Sequence, residues 1–364
     1  MQSTTVRKKY AFIAYPLSLD LLYKLDPELK KIDEKKLREL LAEKPPCIAS
    51  KISGVQSAAT KEMVDGEIIL VYLLPDQMLT MDSSFVIRRI AEAGLLAQKN
   101  GAKIIGLGGL TSVIGNQGTM VAKKLNIAVT TGNSYTAAMA IEAAVKAAGI
   151  IGINLNEAKV SVIGATGSIG SACAHFFAEK CPRINIVARN LRRLKEMSAD
   201  LGKLYKSKVE IHQNVKQSVK DADIVITATS FPLALIDVED LKSGAVVCDV
   251  ATPRNVSYQS KIKRKDVLVI DGGLIEPPGK MKTDIDIGLP ESTAYACLSE
   301  TMILAFENRF ENYTIGRGLD LKKVKEIKKL GDKHGFKLSE FKSFGEKVSD
   351  SDIKKIGVLS GRLK

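Results

Sequence analysis

Six short apolar runs follow one another from Lys159 onward: "KVSVIG", "RINIVAR", "KVEIHQN", "DIVITATS", "AVVCDVAT" and "VLVIDGG". Helical segments separate the earlier ones. Strands that read as continuous apolar runs, alternating with helices, signal a parallel sheet covered on both faces by crossover helices. Upstream the pattern is mixed. "KYAFIAYP" and "GEIILVYLLP" read as buried strands, and "DEKKLRELLAE" as a helix with Leu37, Leu40 and Leu41 on one face. "SSFVIRRIAEAGLLAQKNG" is a helix stopped by Gly101. "KIIGLGGLTS" and "IAVTTGNS" are strands running into glycine loops. "YTAAMAIEAAVKAAG" is an alanine-rich helix, capped by Asn133 or Ser134 and stopped at Gly149.

Past Pro290 the period becomes helical. "PESTAYACLSETMILAFENRF" carries apolar residues at 295, 298, 302 and 305/306, with Pro290 near the first turn and Cys297 in the second. "DLKKVKEIKKLGDKHG" is a further amphipathic helix, and the last twenty or so residues read as a loosely held polar tail. The expected fold class is α/β. A mixed α/β substrate domain fills residues 1–150, and a Rossmann-like doubly wound parallel sheet fills 151–290. C-terminal helices at 291–345 pack back on the other domains, and a tail occupies 346–364.

Composition narrows the chemistry. The 364 residues are 45% hydrophobic and contain no Trp, so the core is largely aliphatic. Five cysteines, an odd number without CxxC spacing, argue against a disulfide framework and for a reducing compartment. Three histidines, far apart, form no metal-ligand pattern. The opening "VRKKYAFIAYPLSLDLL" places basic residues before an apolar run, but Pro16 and Asp20 interrupt it, and a first buried strand is the better reading. The longest apolar runs fall short of the ~18–20 residues of a membrane span. A cytoplasmic protein without a membrane span is expected. The net charge of +13 suits anionic partners, although a solvated lysine surface explains it as well. No finger spacing or aromatic-interleaved basic motif points to nucleic acid.

"VSVIGATGSIGSACAHFF" is the most specific motif. A strand ends at Gly164, with Gly167 and Gly170 at three-residue steps and a helix starting near Ser168. Such glycines allow a tight turn, close approach of a pyrophosphate and close helix–strand packing, while the helix N-terminus offers free N–H groups. The segment Gly164, Ala165, Thr166, Gly167, Ser168, Ile169 and Gly170 is therefore the expected dinucleotide cradle. After the second strand of this sheet stands "VARNLRRLK", with Arg189 where an NAD-specific site places an acid, then Asn190 and Arg193. Guanidinium groups suit a 2′-phosphate and favour NADPH. Thr229, after the fourth strand, is a further cofactor-side residue.

No Walker loop, HExxH or metal motif appears, which leaves the cysteines as candidates for covalent chemistry. Cys173 and Cys248 read as small core residues, Cys181 as structural at a helix end, and Cys47 as a loop residue. Cys297 is offset from its helix stripe and shares a face with Ala294, Thr301 and Leu304. Pattern alone leaves it open between core residue and nucleophile.

The chain resembles the long-chain acyl-carrier-protein reductases, the aldehyde-forming enzymes best known from cyanobacteria. The resemblance runs from about residue 10 to residue 338 and rests on "GLGGLTSVI", "TTGNSYTA", "VSVIGATGSIGSA", "VARN", "ACLSETMILAFE" and "KHGF", in order and spacing. It implies that Cys297 forms an acyl-enzyme and that the glycine loop holds NADPH. It also implies acyl-carrier protein or acyl-coenzyme A as the acyl donor, and an aldehyde-consuming enzyme as a further partner. Two stretches depart from the family pattern: "DVATPRN", where the family carries a Gly-Gly after the Asp, and "EPPGKMKTDIDIGLP". The competing readings are a shikimate-dehydrogenase-like NADP oxidoreductase acting on a small hydroxy acid and a nonenzymatic NADP-sensing module.

Overall fold

The computed structural model describes residues 8–231, 233–251, 253–258 and 264–364. Val6 and Arg7, at the basic start of the opening segment, lie outside the described residues, as does Thr252 of "DVATPRN". The chain forms two compact units. The first comprises residues 1–133, 275–317 and 329–337, and the second 134–274, 318–328 and 338–364.

The first unit is built on a six-stranded mixed sheet. Its strands are β1 (Lys8–Ala14), β2 (Cys47–Gln56), β3 (Met63–Leu70), β4 (Ile104–Leu107), β5 (Ala128–Thr130) and, after the short β12 (Leu274–Glu276), β13 (Gly279–Thr283). Their order is β13-β2-β3-β1-β4-β5. β1 is parallel to both β3 and β4, and β4 to β5, while β2 runs antiparallel to β3 and β13 antiparallel to β2. Cys47 therefore opens a strand instead of lying in a loop. The alternating small and polar residues of "CIASKISGVQ" give it too little hydrophobic contrast to read as one.

Around this sheet lie α1 (Leu19–Leu25), α2 (Glu34–Glu43), α3 (Pro75–Thr80), α4 (Ser83–Lys99), α5 (Leu110–Gln117) and α6 (Thr119–Ala122). In α2, Leu37 and Leu41 face the core but Leu40 is exposed. α4 ends at Lys99, with Gly101 in the left-handed region at φ 87°, as its sequence requires. Glycine is also needed inside β3. Gly66 pairs with Tyr10 across β1, and a Cβ there would lie 2.3 Å from the Tyr10 ring.

Helix α11 (Ala296–Phe306) packs on β1 and β4 of the same unit. The expected stripe is absent from it, since every residue but Cys297 is buried. Apolar and small residues stand at nearly all its positions, so the helix is enclosed all round. It begins at Ala296, so Pro290 belongs to the preceding loop and Cys297 is the second helical residue.

The second unit holds the predicted doubly wound sheet. β6 (Lys159–Ile163), β7 (Arg183–Val187), β8 (Lys208–His212), β9 (Ile224–Thr227), β10 (Val246–Asp249) and β11 (Leu268–Asp271) run in the order β11-β10-β9-β6-β7-β8, all parallel. This is the Rossmann order, with its reversal between β6 and β9. α8 (Ser168–Lys180), α9 (Leu191–Leu204) and α10 (Val215–Val219) are its crossover helices.

α7 (Asn133–Ile151) runs past Gly149 and ends before Gly152, which takes φ 92°. By length and composition it is apolar enough to cross a membrane. Its interrupted alanines kept it from reading as one apolar run. Thirteen of its residues are buried, and Ala140, Ala144, Ala147 and Ile151 join the core of the second unit, so it is read as a core helix. α12 (Leu321–His334) follows the amphipathic expectation.

The structural division differs from the expected one. Residues 291–345 are shared between the two units, and the final segment carries a helix instead of a loose tail. α13 (Asp350–Leu359) opens with a Ser349–Asp352 capping box and buries Ile353 in the core of the second unit. Arg362 then pairs with the buried Asp223. Polar composition concealed a helix held by one apolar anchor and its cap.

Replacing Gly66 with Ala drives a methyl group into the Tyr10 ring. Overpacking of this kind costs about 1–3 kcal/mol. The denaturant midpoint of the variant is expected to fall accordingly, and an unchanged midpoint would mean that Tyr10 can move aside.

Candidate active site

Cys297 lies just beyond the carboxyl ends of the parallel strands β1, β4 and β5, the end at which open α/β sheets gather their sites. Three sequence segments converge on it within the first unit. From "TTGNS" comes Gly132, at φ 73°, where a Cβ would lie 2.3 Å from the Cys297 Cα. From "GLGGLTS" comes the start of α5, whose Leu110 N–H donates to the Tyr15 hydroxyl at 3.1 Å. Gly109, at φ 53°, allows this, because a Cβ there would meet the same hydroxyl at 2.5 Å. From "ACLSE" comes the cysteine itself with Glu300, one turn further on and fully buried.

The sulfur is subject to opposing influences. Burial pushes the thiol up to about 12, and the Glu300 charge adds to the rise. The Leu298 N–H and the residue's own N–H, free groups of the first helical turn, act in the other direction. Cys297 nevertheless keeps some solvent contact. Tyr15 senses the charge of Cys297 and of Tyr295, and burial moves its hydroxyl to about 12 as well, so it keeps its proton at neutral pH.

Elevation of the thiol does not set Cys297 apart. Burial raises Cys173 and Cys181 to about 12 and lifts Cys248 well above its ordinary value. Position does set it apart. Cys173, Cys181 and Cys248 are buried, whereas Cys297 is half-buried at a helix N-terminus. Cys47, also half-buried, shares a 3.1 Å contact with the Tyr72 hydroxyl on a strand.

Glu300, Tyr15, Gly109 and Gly132 were not legible as site residues. The signal available was the glycine pairs and the acid three residues after the cysteine, and only the fold brings these together.

A second polar cluster of the same unit joins Ser57, His334 and Glu307. Ser57 Oγ lies 2.7 Å from His334 Nδ1, and His334 Nε2 lies 2.6 Å from Glu307 Oε1. Lys333 also reaches Glu307 at 2.6 Å, and Phe306 stacks on the histidine ring. Burial opposes ionisation of Glu307, but hydrogen bonds from Lys333 and His334 outweigh it and hold the carboxyl below its usual range. Ser57 is fully enclosed and accepts the Thr60 N–H, so the cluster fastens the ends of α11 and α12 to the turn after β2 and presents no nucleophile. Among the described residues no group of three His, Cys, Asp or Glu side chains could hold a metal.

In the second unit the glycine loop has the form a dinucleotide needs. Gly164 turns at φ 81°, and its N–H and that of Ala165 donate to the Val187 carbonyl at 2.9 and 3.1 Å. A Cβ on Gly170 would lie 2.3 Å from the Gly164 carbonyl oxygen, so only glycine lets α8 approach the strand this closely. α8 starts at Ser168 with Gly167 before it and no capping side chain. The first turn is therefore available to an anion. Thr166 and Ile169 are half-buried, whereas Ala165 is enclosed. Thr229 lies beside the loop, its Cβ 3.2 Å from where a Gly164 Cβ would stand, and its hydroxyl accepts the Phe231 N–H at 3.0 Å.

Arg189 is exposed just past β7, with its guanidinium 5.7 Å from the Phe231 ring centroid. Asn190 caps α9 by accepting the Arg193 N–H at 3.0 Å, so its side chain is already committed locally, and Arg193 projects from the first turn into solvent. In the departing segment "DVATPRN", burial raises the Asp249 carboxyl to about 6. Its oxygens accept N–H groups from Ala251, Asn255 and Val256, which ties this loop to the end of β10.

The second unit is thus a Rossmann-type NAD(P)-binding fold of the dehydrogenase kind. Residues 145–272, all within it, match the family model for shikimate / quinate 5-dehydrogenase. Across the chain, similarity extends to the aminotransferase PigE of a Serratia species, 30% identical over 93% of this chain. The chain spans 41% of that protein's length. It is also similar to the long-chain acyl-[acyl-carrier-protein] reductase of Synechococcus elongatus, 29% identical over 82% of this chain and 89% of the reductase. Among solved structures, L-tryptophan dehydrogenase from Nostoc punctiforme overlaps 97% of this chain and 88% of its own at 13% identity, with a TM-score of 0.41.

With the Cys297 thiol near 12, about one molecule in ten thousand carries a thiolate there at pH 8. Alkylation of Cys297 by iodoacetamide, followed by peptide mass, is expected to be slow at pH 7–8 and to climb without a plateau to about pH 11. A plateau below pH 9 would mean that the helix N–H groups outweigh burial.

Proposed function

We propose that this chain reduces a long-chain acyl thioester to the fatty aldehyde with NADPH, through an acyl-enzyme on Cys297. The observation that carries the reading is the placement of Cys297. It is the one residue of a buried helix with solvent contact, in the first turn, where backbone N–H groups face the sulfur. The similarity to the Synechococcus reductase supports it.

The resting thiol is neutral. As its sulfur attacks the acyl carbonyl carbon, the bond to the donor sulfur breaks, and the donor leaves as a thiol with the proton that Cys297 gives up. The Cys297 and Leu298 N–H groups stabilise negative charge on the sulfur as the proton departs. Tyr15, still protonated, keeps a polar O–H on this side of the unit. When bound, the dinucleotide supplies the hydride that takes the acyl group to the aldehyde. Release of the aldehyde leaves the sulfur as a thiolate, which takes a proton from solvent to restore the Cys297 thiol. Arg189, exposed beside the cradle, supplies the cation for a 2′-phosphate, and the net charge of +13 suits an acidic carrier protein as donor.

A dehydrogenase of a small hydroxy acid is the second reading, favoured by the family match over residues 145–272. That match lies within the dinucleotide unit, and the reading provides no use for an acylated cysteine.

Incubation with palmitoyl-coenzyme A and no NADPH is expected to add one acyl mass, mapped to Cys297 and discharged as aldehyde when NADPH is added. Cys297→Ser should lose acylation and turnover by orders of magnitude while still binding NADPH. Acyl mass on another cysteine, or a Ser variant that retains most activity, would return Cys297 to the core. For the cofactor, Arg189→Ala should raise the NADPH KM about tenfold to a hundredfold, the size of a lost charge-assisted contact, and leave NADH use nearly unchanged. Equal use of the two cofactors by the unmodified protein would sink that assignment.

A further inference from the structure

Glu300 is fully buried, one helical turn beyond Cys297. Its Oε1 accepts two hydroxyl hydrogen bonds, one from Thr130 and one from Thr314 at 2.8 Å. Thr130 is the last residue of β5, and the Gly132 N–H donates back to its hydroxyl at 3.4 Å. The Thr314 N–H reaches the same hydroxyl at 3.4 Å, and the Thr131 hydroxyl and N–H donate to the Thr314 carbonyl at 2.6 and 3.0 Å. One carboxylate therefore joins three segments: the first turns of α11, the end of β5 leading to Gly132, and the loop through Thr314.

Burying a carboxylate is costly, and an apolar side chain of similar volume would hold a helix on a sheet at least as well. What an apolar residue could not do is grip two hydroxyls in fixed directions. The loop so gripped is the one whose Gly132 backbone lies against the Cys297 backbone.

We propose that Glu300 is a positioning residue for Cys297, holding the β5 loop and the first turn of α11 in one register through Thr130 and Thr314 so that the thiol meets an acyl carbonyl in a fixed orientation. This rests on the reading of Cys297 as the nucleophile. Among the described residues, the titratable groups that sense the thiol are Tyr15, just past β1, with Tyr295 beside it, and Glu300 of α11. The Glu300 charge disfavours the thiolate. Its benefit is accordingly geometric, and the two effects separate experimentally.

The test compares acylation by palmitoyl-coenzyme A, which demands orientation, with alkylation by iodoacetamide, which demands little. Glu300→Ala is expected to slow acylation about tenfold to a hundredfold, the scale of a small misplacement of a reacting group. Its alkylation at pH 8 should stay within about threefold of the unmodified protein or rise, since lost positioning affects it little. Glu300→Gln, whose amide oxygen can accept both hydroxyls, should restore most of the acylation. Thr130→Val, isosteric and lacking one donor, should reproduce part of the loss and keeps the test alive if the Ala variant does not fold.

Acylation at the unmodified rate in folded Glu300→Ala and Thr130→Val would overturn the proposal. So would a Gln variant as slow as Ala, which would assign the effect to charge. Cys297→Ser in the same assays separates the two levels. If it still acylates, the nucleophile reading fails. If it is inert while the Glu300 and Thr130 variants match the unmodified protein, only the positioning role fails.

Discussion

The backbone of Gly132 lies against that of Cys297 so closely that a methyl group does not fit between them. This contact joins the loop after β5 to the first turn of α11, and the character of the thiol depends on it. Because the loop is close, the sulfur lies in protein and its proton is held tightly. Because the contact falls in the first turn, uncapped N–H groups remain to stabilise a negative sulfur once the proton leaves. The same approach fixes the rest of the surroundings: Gly106 admits Thr301 where a side chain on β4 would collide, and Gly109 admits the Tyr15 hydroxyl.

The second unit applies the same principle to a different end. There Gly170 lets α8 come down onto the Gly164 carbonyl, and the helix N-terminus is left without a capping side chain. In both units glycine brings a helix start unusually near the carboxyl ends of parallel strands. One helix start carries a thiol and the other offers N–H groups to an anion. The thiol and the glycine loop are thus separate devices, one in each unit.

Much of this could be read from the sequence, and the parts that could are local. The six strands of the second unit and the order of glycine loop, helix and Arg189 follow from apolar runs and residue spacing. These patterns record what each segment buries and which φ values it needs. The misreadings have a common cause. β2 lacks apolar contrast, so Cys47 reads as a loop residue; one buried isoleucine is a faint signal for α13; and α11 is enclosed on every side, so no single stripe marks it.

By itself the sequence determined the sheet of the second unit, the glycine turn that opens α8 and the candidacy of Cys297, since periodicity, glycine spacing and residue chemistry act over a few neighbours. It left open whether that cysteine was core or site. Only the tertiary structure decided that Cys297 alone of its helix reaches solvent, that its thiol is held near 12, and that Glu300 is tied to Thr130 and Thr314. The grip of Glu300 on Thr130 and the closeness of Gly132 to Cys297 depend on residues more than a hundred positions apart meeting in space. Desolvation and hydrogen bonding are set by whatever surrounds an atom, and no local pattern in the chain encodes those surroundings.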